Sequence, residues 1–484
     1  MPHKYLSQSF TIHPVGQGFF YTCKINPSNS NKPFRFVFDC GSLNKESAKD
    51  EVDEYLKQNF PDKKEVLDLL IISHFDEDHI NFLPQLLKDI KVKKIITPFI
   101  SMEERLVLAL RVKANKKRGE ANKMDEQTIF DILDPDSLLR YLGEEGELIT
   151  LESDPDNPPF NIEEESNSNQ NKEEISLDAT FEFPSESRGS QKKTTIRGTI
   201  KKSTVKDSSK GTVTANGIPI MEFLFYRKQI GSDDTKFFKE VYKLFLSKHS
   251  KEFLKPNNPT IDELINAVKK VSSAKEIKDI FRIAAKAVKG ISISLSKLTD
   301  MNTTALCLLH HNPKTLLRKI LDETEPTKRN INSITFATIV KNAGIGSGIV
   351  EIPVTKYWIE NNEVNPPYNP MLMPNTMLTS DSFLLNGKDV DAFKNRYDQY
   401  WNKFWLFQLP HHGAERNADL TLLKLIPDYV FSFINYGIKK TWGGNWRHPS
   451  PKLIENLMMT NLQLAFLKIN ENTGLQFHYV IYLY

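Results

Sequence analysis

Val66-Leu67-Asp68-Leu69-Leu70-Ile71-Ile72-Ser73-His74-Phe75-Asp76-Glu77-Asp78-His79 is the stretch on which the reading of this chain turns. Val66 to Ile72 is a near-continuous apolar run, the pattern of a strand buried on both faces. It runs directly into His74, and four side chains able to ligate a metal, His74, Asp76, Asp78 and His79, then fall within six residues. A loop leaving a strand can turn alternate side chains toward one point. Imidazole and carboxylate together suit zinc, manganese or iron. Two sub-sites fit the spacing, His74 with Asp76 and Asp78 with His79, and a pair of divalent ions is a recurrent hydrolytic device. The competing reading is a solvated polar loop with incidental histidines. The strand in front of the loop favours metal.

Outward from that stretch the text alternates strand and helix. Phe10 to Ile25 is rich in aromatic and β-branched residues and is broken by Gly16 and Gly18, Asn26 to Pro33 is a polar turn, and Arg35 to Phe38 is a short strand ending at Asp39-Cys40-Gly41. Residues 47–60 and Phe82 to Lys88 read as helices, and Val92 to Thr97 as a strand. Such alternation is α/β layering. Residues 101–150 look helical and charged. Glu152 to Glu174 is acidic, and Ser185 to Lys210 is basic and rich in Ser and Thr. Helical periodicity returns over 235–255 and 260–290, and strand-like text resumes at Thr304 to Leu309. The expected organisation is therefore a catalytic domain split into 1–100 and 299–484, with a charged, mainly helical insertion over 101–298 that is flexible over 152–215.

Bulk properties narrow the class. The 484 residues are 39% hydrophobic and 26% charged, with a formal net charge of +3. That is ample for a large core, and the charge balance does not decide for or against nucleic acid. Cys23, Cys40 and Cys307 form no CxxC pair and no disulfide framework. Neither a signal peptide nor a membrane span is expected, and the cytoplasm is the expected location.

HFDEDH, over 74–79, resembles the second motif of the metallo-β-lactamase superfamily, with Asp76 at its second-histidine position. That substitution is typical of the hydrolase domain of ComEC-type DNA-uptake proteins, and further segments resemble the same branch in order. Val15-Gly16-Gln17-Gly18 resembles its opening strand-turn. Asp39-Cys40-Gly41 resembles the motif whose Asp supports the metal loop from behind. Leu378-Thr379-Ser380-Asp381 resembles the element supplying a metal-bridging carboxylate, with Ser380 for the usual Gly and Asp389 as a competing carboxylate. Leu409-Pro410-His411-His412-Gly413 resembles its paired-histidine element. Arg447-His448-Pro449 resembles a late element that contacts phosphate. Asn302-Thr303-Thr304 is similar to a supporting element, and the superfamily's third-motif histidine has no counterpart, since His310 and His311 come too late in order.

The resemblance implies an α/β fold, the four-layer αββα sandwich of that superfamily. It implies a site with two divalent metal ions, Zn²⁺ or Mn²⁺, on His74, Asp76, Asp78, His79, Asp381, His411 and His412, one of the last two facing substrate instead. Asp39 stands behind the ligands. Asp78 or Asp381 would orient the attacking water, His448 would donate a proton, and Asn445 and Arg447 would hold an anionic substrate. The implied activity is that of a metal-dependent hydrolase, a phosphodiesterase or nuclease acting on DNA, in DNA processing or anti-phage defence. Lys192, Lys193, Arg197, Lys201, Lys202, Lys206 and Lys210, with Arg111, Lys113, Lys116, Lys117 and Arg118, offer a track for a phosphate backbone. Their bland reading is a solvated insertion, or one that docks a partner protein. The alternatives are a small-molecule phosphodiesterase or ester hydrolase and a sensor that binds nucleotide or partner without turnover.

Overall fold

The structure, a computed structural model, describes residues 4–27, 32–62, 65–115, 123–154, 156, 158–160, 179–183, 191–195, 198–215, 218–255, 258–271, 273–289, 305–313, 334–341, 351–353, 375–415, 417–418, 420–427, 430–438, 448–460 and 466–483. The strands are β1 (Lys4–Ile12), β2 (Gly18–Pro27), β3 (Phe34–Ser42), β4 (Val66–Ile71), β5 (Lys91–Pro98), β6 (Leu142–Glu152), β7 (Ala179–Glu182), β8 (Gln191–Thr195), β9 (Gly198–Lys206) and β10 (Lys210–Ala215). They continue with β11 (Ile218–Arg227), β12 (Leu306–His311), β13 (Ile334–Lys341), β14 (Glu351–Pro353), β15 (Thr376–Leu378), β16 (Leu406–Gln408), β17 (Phe431–Asn435), β18 (Phe466–Ile469) and β19 (Thr473–Leu483). The helices are α1 (Lys45–Asn59), α2 (Glu77–Ile80), α3 (Leu83–Leu86), α4 (Met102–Asn115), α5 (Lys123–Leu133), α6 (Ser232–Lys248), α7 (Ile261–Lys270), α8 (Ala274–Lys289), α9 (Gly387–Arg396), α10 (Leu420–Leu425) and α11 (Pro451–Met458).

Two sheets form the mixed α/β fold. The first runs β14-β13-β19-β1-β2-β3-β4-β5-β6-β9-β8 and the second β18-β17-β16-β15-β12-β11-β10-β7. Phe10, Phe19 and Phe36 of the first sheet share one apolar cluster with Phe223, Leu308 and Phe433 of the second. Phe36 meets Phe223 edge-on, with ring centroids 5.1 Å apart. On its other side the first sheet packs Leu70 and Ile95 against α1 and α3 to α8. The second sheet packs Leu309 and Phe407 against α9, α10 and α11. β4 shows why its sequence is apolar throughout. Leu69 and Ile71 enter the cluster between the sheets, while Leu67, Leu70 and Ile72 enter the one beneath the helices. Each such side chain contributes about 2 kcal/mol of burial.

The parallel run β3-β4-β5-β6-β9 and the parallel run β15-β16-β17-β18 carry the chemistry. The chain leaves β3 and β4 beside the place where it leaves β15 and β16, because Leu306 at the start of β12 donates its N–H to Ser73 O at 2.8 Å while β12 pairs with β15. Ligands of open α/β sheets gather beyond such carboxyl ends.

The expected separate insertion over 101–298 is corrected here. β6, β9 and β8 extend the first sheet, and β7, β10 and β11 extend the second, so this region is continuous with both. Only its helices, α4 to α8, form a covering layer. Within the segment 152–215, the described residues include β7 to β10. Its lysines mislead because they are neutralised in place: Lys201 by Glu147, Lys202 by Asp136, Lys206 by Glu152 and Lys210 by Glu222. Cys23, Cys40 and Cys307 are buried and unpaired. Among the described residues, no helix is long and apolar enough to cross a membrane.

Candidate metal centre

Asp39 ends the regular course of β3 with a φ of 56°. Among the described residues five non-glycine positions have positive φ, and four of them, Asp39, Ser380, His411 and His412, surround one spot. Left-handed backbone costs an ordinary residue about 1–2 kcal/mol, so the packing here holds the chain in place against its local preference. Two glycines make that packing feasible. A Cβ on Gly41 would lie 2.5 Å from Asp78 C and His79 N, and one on Gly18 would lie 2.6 Å from Asp78 O. The Asp78–His79 backbone therefore rests directly on the turns that follow Val15 and Asp39.

His74, Asp76, Asp78 and His79 arrive from the end of β4 and from α2. Asp381 follows β15, and His411 and His412 follow β16. Asp381 lies at the centre. Its Oδ1 faces His79 Nε2 at 3.4 Å and His412 Nε2 at 3.7 Å, and its Oδ2 faces His74 Nε2 at 3.8 Å and His411 Nε2 at 3.6 Å. His74 Nε2 also lies 3.8 Å from Asp76 Oδ2, and His412 Nε2 lies 3.2 Å from Asp78 Oδ2. Two donors on one tetrahedral ion, each bonded at about 2.1 Å, sit about 3.4 Å apart. The separations around Asp381 match that spacing more closely than that of good hydrogen bonds. His74 Nε2 and His79 Nε2 are buried without a hydrogen-bond partner among the described residues, which is costly unless something else takes their lone pairs.

The far sides of the rings explain why those lone pairs are free. Ser73 Oγ donates to Asp39 Oδ2 at 2.5 Å and so accepts from His74 Nδ1 at 2.9 Å. His79 donates Nδ1–H to Asp39 Oδ2 at 2.8 Å, and His412 donates Nδ1–H to the Asn435 carbonyl at 2.8 Å. With Nδ1 protonated in all three rings, Nε2 is the ligating atom. Asp39, His74 and His79 form one compact donor group, and Asp78, His79 and His412 another. Asp39 itself stands behind the site, since the Ser73 N–H at 2.7 Å, the Ser73 hydroxyl and His79 occupy its oxygens.

Electrostatics favour cationic charge at this spot. Burial opposes ionisation of Asp381, but His411, His412 and His79 outweigh it and hold the carboxyl well below its usual range. Burial likewise opposes a charge on His79, yet Asp381 and Asp39 raise it well above the ordinary histidine value. Burial and the neighbouring His79 lower His74. Burial works against Asp78 too, but His412 and His79 bring it down to about 2.

His448 belongs to the same rim. Its ring centroid is 5.7 Å from that of His411 and 6.5 Å from that of His412. Burial, His412 and His411 lower it to about 4. Asn445 and Arg447 lie outside the described residues, as do Arg197, Lys116, Lys117, Arg118 and the stretch Asn302 to Thr304. Asp389 is excluded as the central carboxylate: it sits in α9, paired with Lys228 at 2.6 Å. His310 is a core residue, hydrogen-bonded to Tyr21 Oη at 2.7 Å between the sheets, and His311 pairs with Glu222 at 2.9 Å.

Sequence reasoning overlooked the supporting polar residues. Ser73 ties Asp39, His74 and Ser380 together, with Ser380 Oγ at 2.7 Å. Gln408 accepts from Ser380 N–H at 2.8 Å and donates to Asn435 Oδ1 at 2.9 Å, fixing the two strand ends. A polar residue at the last position of a buried strand was the available signal, but Ser, Gln and Asn carry no motif of their own. Compared with known protein families and with curated proteins, the chain matches none.

Proposed function

We propose that this chain is a metal-dependent phosphodiesterase with the αββα sandwich of the metallo-β-lactamase superfamily, acting on DNA. The observation that carries the reading is the Asp381 carboxylate, each of whose oxygens is addressed by two imidazoles. One ion would be held by His74, Asp76, His411 and Asp381, and a second by Asp78, His79, His412 and Asp381. Zn²⁺ or Mn²⁺ suits this mixed nitrogen and oxygen set. Such ions supply a nucleophile from water at neutral pH and offset the charge that develops on a phosphoryl group.

The chain's own residues do the rest. Asp39 and Ser73 fix the His79 and His74 rings, and Gln408 and Asn435 fix Ser380 and His412. His448, on the rim beside His411, is placed to contact the phosphate as a neutral imidazole. The test is a panel of single- and double-stranded DNA, RNA, cyclic nucleotides and bis(p-nitrophenyl) phosphate, assayed with Mn²⁺ and with Zn²⁺. Cleavage of none of them refutes the reading.

One observation favours a smaller phosphodiester over a DNA track. Lys201, Lys202, Lys206 and Lys210 are each paired with a carboxylate, which weakens the expected cationic path for a backbone. Cleavage of cyclic nucleotides without cleavage of DNA would select this second reading.

A further inference from the structure

A cavity of about 350 Å³ opens beyond the ends of β5 and β11, lined in part by Phe99, Ser101, Phe238 and Gln229. Register places it. Ile71 of β4 pairs with Ile96 of β5, so Phe99 leaves its strand level with His74 on the neighbouring one. Neighbouring strands lie about 4.8 Å apart. From the second sheet, Arg227 is the register partner of Leu306, whose N–H is bound to Ser73 O. The cavity thus lies at the same edge of the sheets as the His74 loop.

Its chemistry is aromatic and electrically balanced. Phe99 is 38% exposed, one of the few large apolar side chains left in solvent among the described residues. Phe238 is buried. Glu103 and Glu104 stand against Arg227 and Lys239 in the same lining, and Arg227 lies 3.5 Å from Glu104 with both side chains buried. A phosphate pocket would carry an excess of cations. This one cancels its charges and offers phenyl surface, with the Ser101 hydroxyl and the Gln229 amide at its edge. Its volume is at the small end for ligand sites and suits one planar heterocycle with its sugar. Every base has a π-face that can stack on an aromatic ring.

We infer that this cavity receives a nucleobase of the substrate, seated on Phe99, and so selects which phosphodiester reaches the metal centre. The inference deepens the phosphodiesterase reading and rests on it for the word substrate.

The experiment measures binding of 5′-nucleoside monophosphates and of ribose 5-phosphate, which lacks the base, to the full chain by equilibrium dialysis. The expected result is at least tenfold tighter binding of the nucleotides, a preference lost in Phe99→Ala and kept in Phe99→Trp. Equal binding of the base-bearing and base-free probes, or an unaltered preference in Phe99→Ala, overturns the proposal. Phe99 is exposed enough for its truncation to leave the fold intact, and a denaturation curve checks this. Displacement of the nucleotide by a single-stranded oligonucleotide assigns the pocket to a base within a polymer, and lack of displacement assigns it to a free nucleotide. Hydrolysis of bis(p-nitrophenyl) phosphate by the wild-type chain tests the phosphodiesterase reading separately. Base preference without hydrolysis would leave the pocket standing and remove the activity.

Discussion

His79 donates its Nδ1–H to Asp39 at 2.8 Å, and both side chains are fully buried. Asp39 thereby fixes the ring whose Nε2 faces Asp381, without facing the centre itself. Asp39→Asn keeps the size of the side chain, and Asn tolerates left-handed backbone. The variant is expected to fold and to bind metal about 10–100-fold more weakly. Titration against a competing chelator measures this. Unchanged affinity would show that Asp39 is only a structural turn residue.

Asp381→Asn removes the carboxylate proposed to serve both ions. Elemental analysis of the purified wild-type chain is expected to find about two transition-metal ions, and the variant is expected to retain fewer than one. The double variant Asp76→Ala, Asp78→Ala should lose metal as well. Wild-type protein without metal, or a variant with a full complement, would refute the assignment.

Gly41→Ala would place a methyl group 2.5 Å from Asp78 C and His79 N. Backbone on both sides leaves no flexible group to give way. The expected cost is about 3 kcal/mol in urea denaturation, with a parallel fall in metal content. Wild-type stability together with normal metal binding would mean that the loop does not rest on this turn.

Glu222 supplies a pH test away from the centre. Burial raises its pKa, but His311 and Lys210 outweigh burial and bring it down to about 2. An unfolded Glu titrates near 4.3. Between those values the folded state binds fewer protons, so this stabilisation is present above about pH 4.3 and is lost as the pH falls toward 2. Glu222→Gln is expected to cost about 2–3 kcal/mol at pH 7, with the gap narrowing below pH 4.3. A gap that stays constant with pH would contradict the pairing.

Removing residues 198–215 deletes β9 and β10 and so cuts into both sheets. The expected product has no cooperative unfolding transition. A truncated chain that unfolds cooperatively and binds metal would restore the picture of a dispensable insertion.

Much of this arrangement was legible in the sequence where one residue type served one purpose. The run Leu67 to Ile72 is buried, and His74, Asp76, Asp78, His79, Asp381, His411, His412 and His448 meet at one edge. The error lay in β6 to β10. Glu147, Glu152, Lys201 and Lys206 suggest solvation by composition, yet across neighbouring strands Glu147 neutralises Lys201 and Glu152 neutralises Lys206, while Ser203 and Val205 are buried. Cross-strand pairing is invisible along a single chain until the register is known. Ser380 illustrates the reverse case. A glycine was expected there, and the serine adopts the left-handed conformation at a φ of 49° while its hydroxyl joins the Ser73 network.

Asp78 and His412, whose side chains meet at 3.2 Å, are 334 residues apart in the chain. One comes from the first sheet and the other from the second. An ion gripping both would act as a removable rivet, closing a loop that spans most of the polypeptide. In a protein whose three cysteines are buried and unbridged, that rivet would be its long-range cross-link. Its strength would follow the free-ion concentration, adding about 4 kcal/mol to the fold at a thousand times the dissociation constant and nothing once a chelator has stripped it. Sparing or supplying the ion would then govern the lifetime of the protein as well as its chemistry.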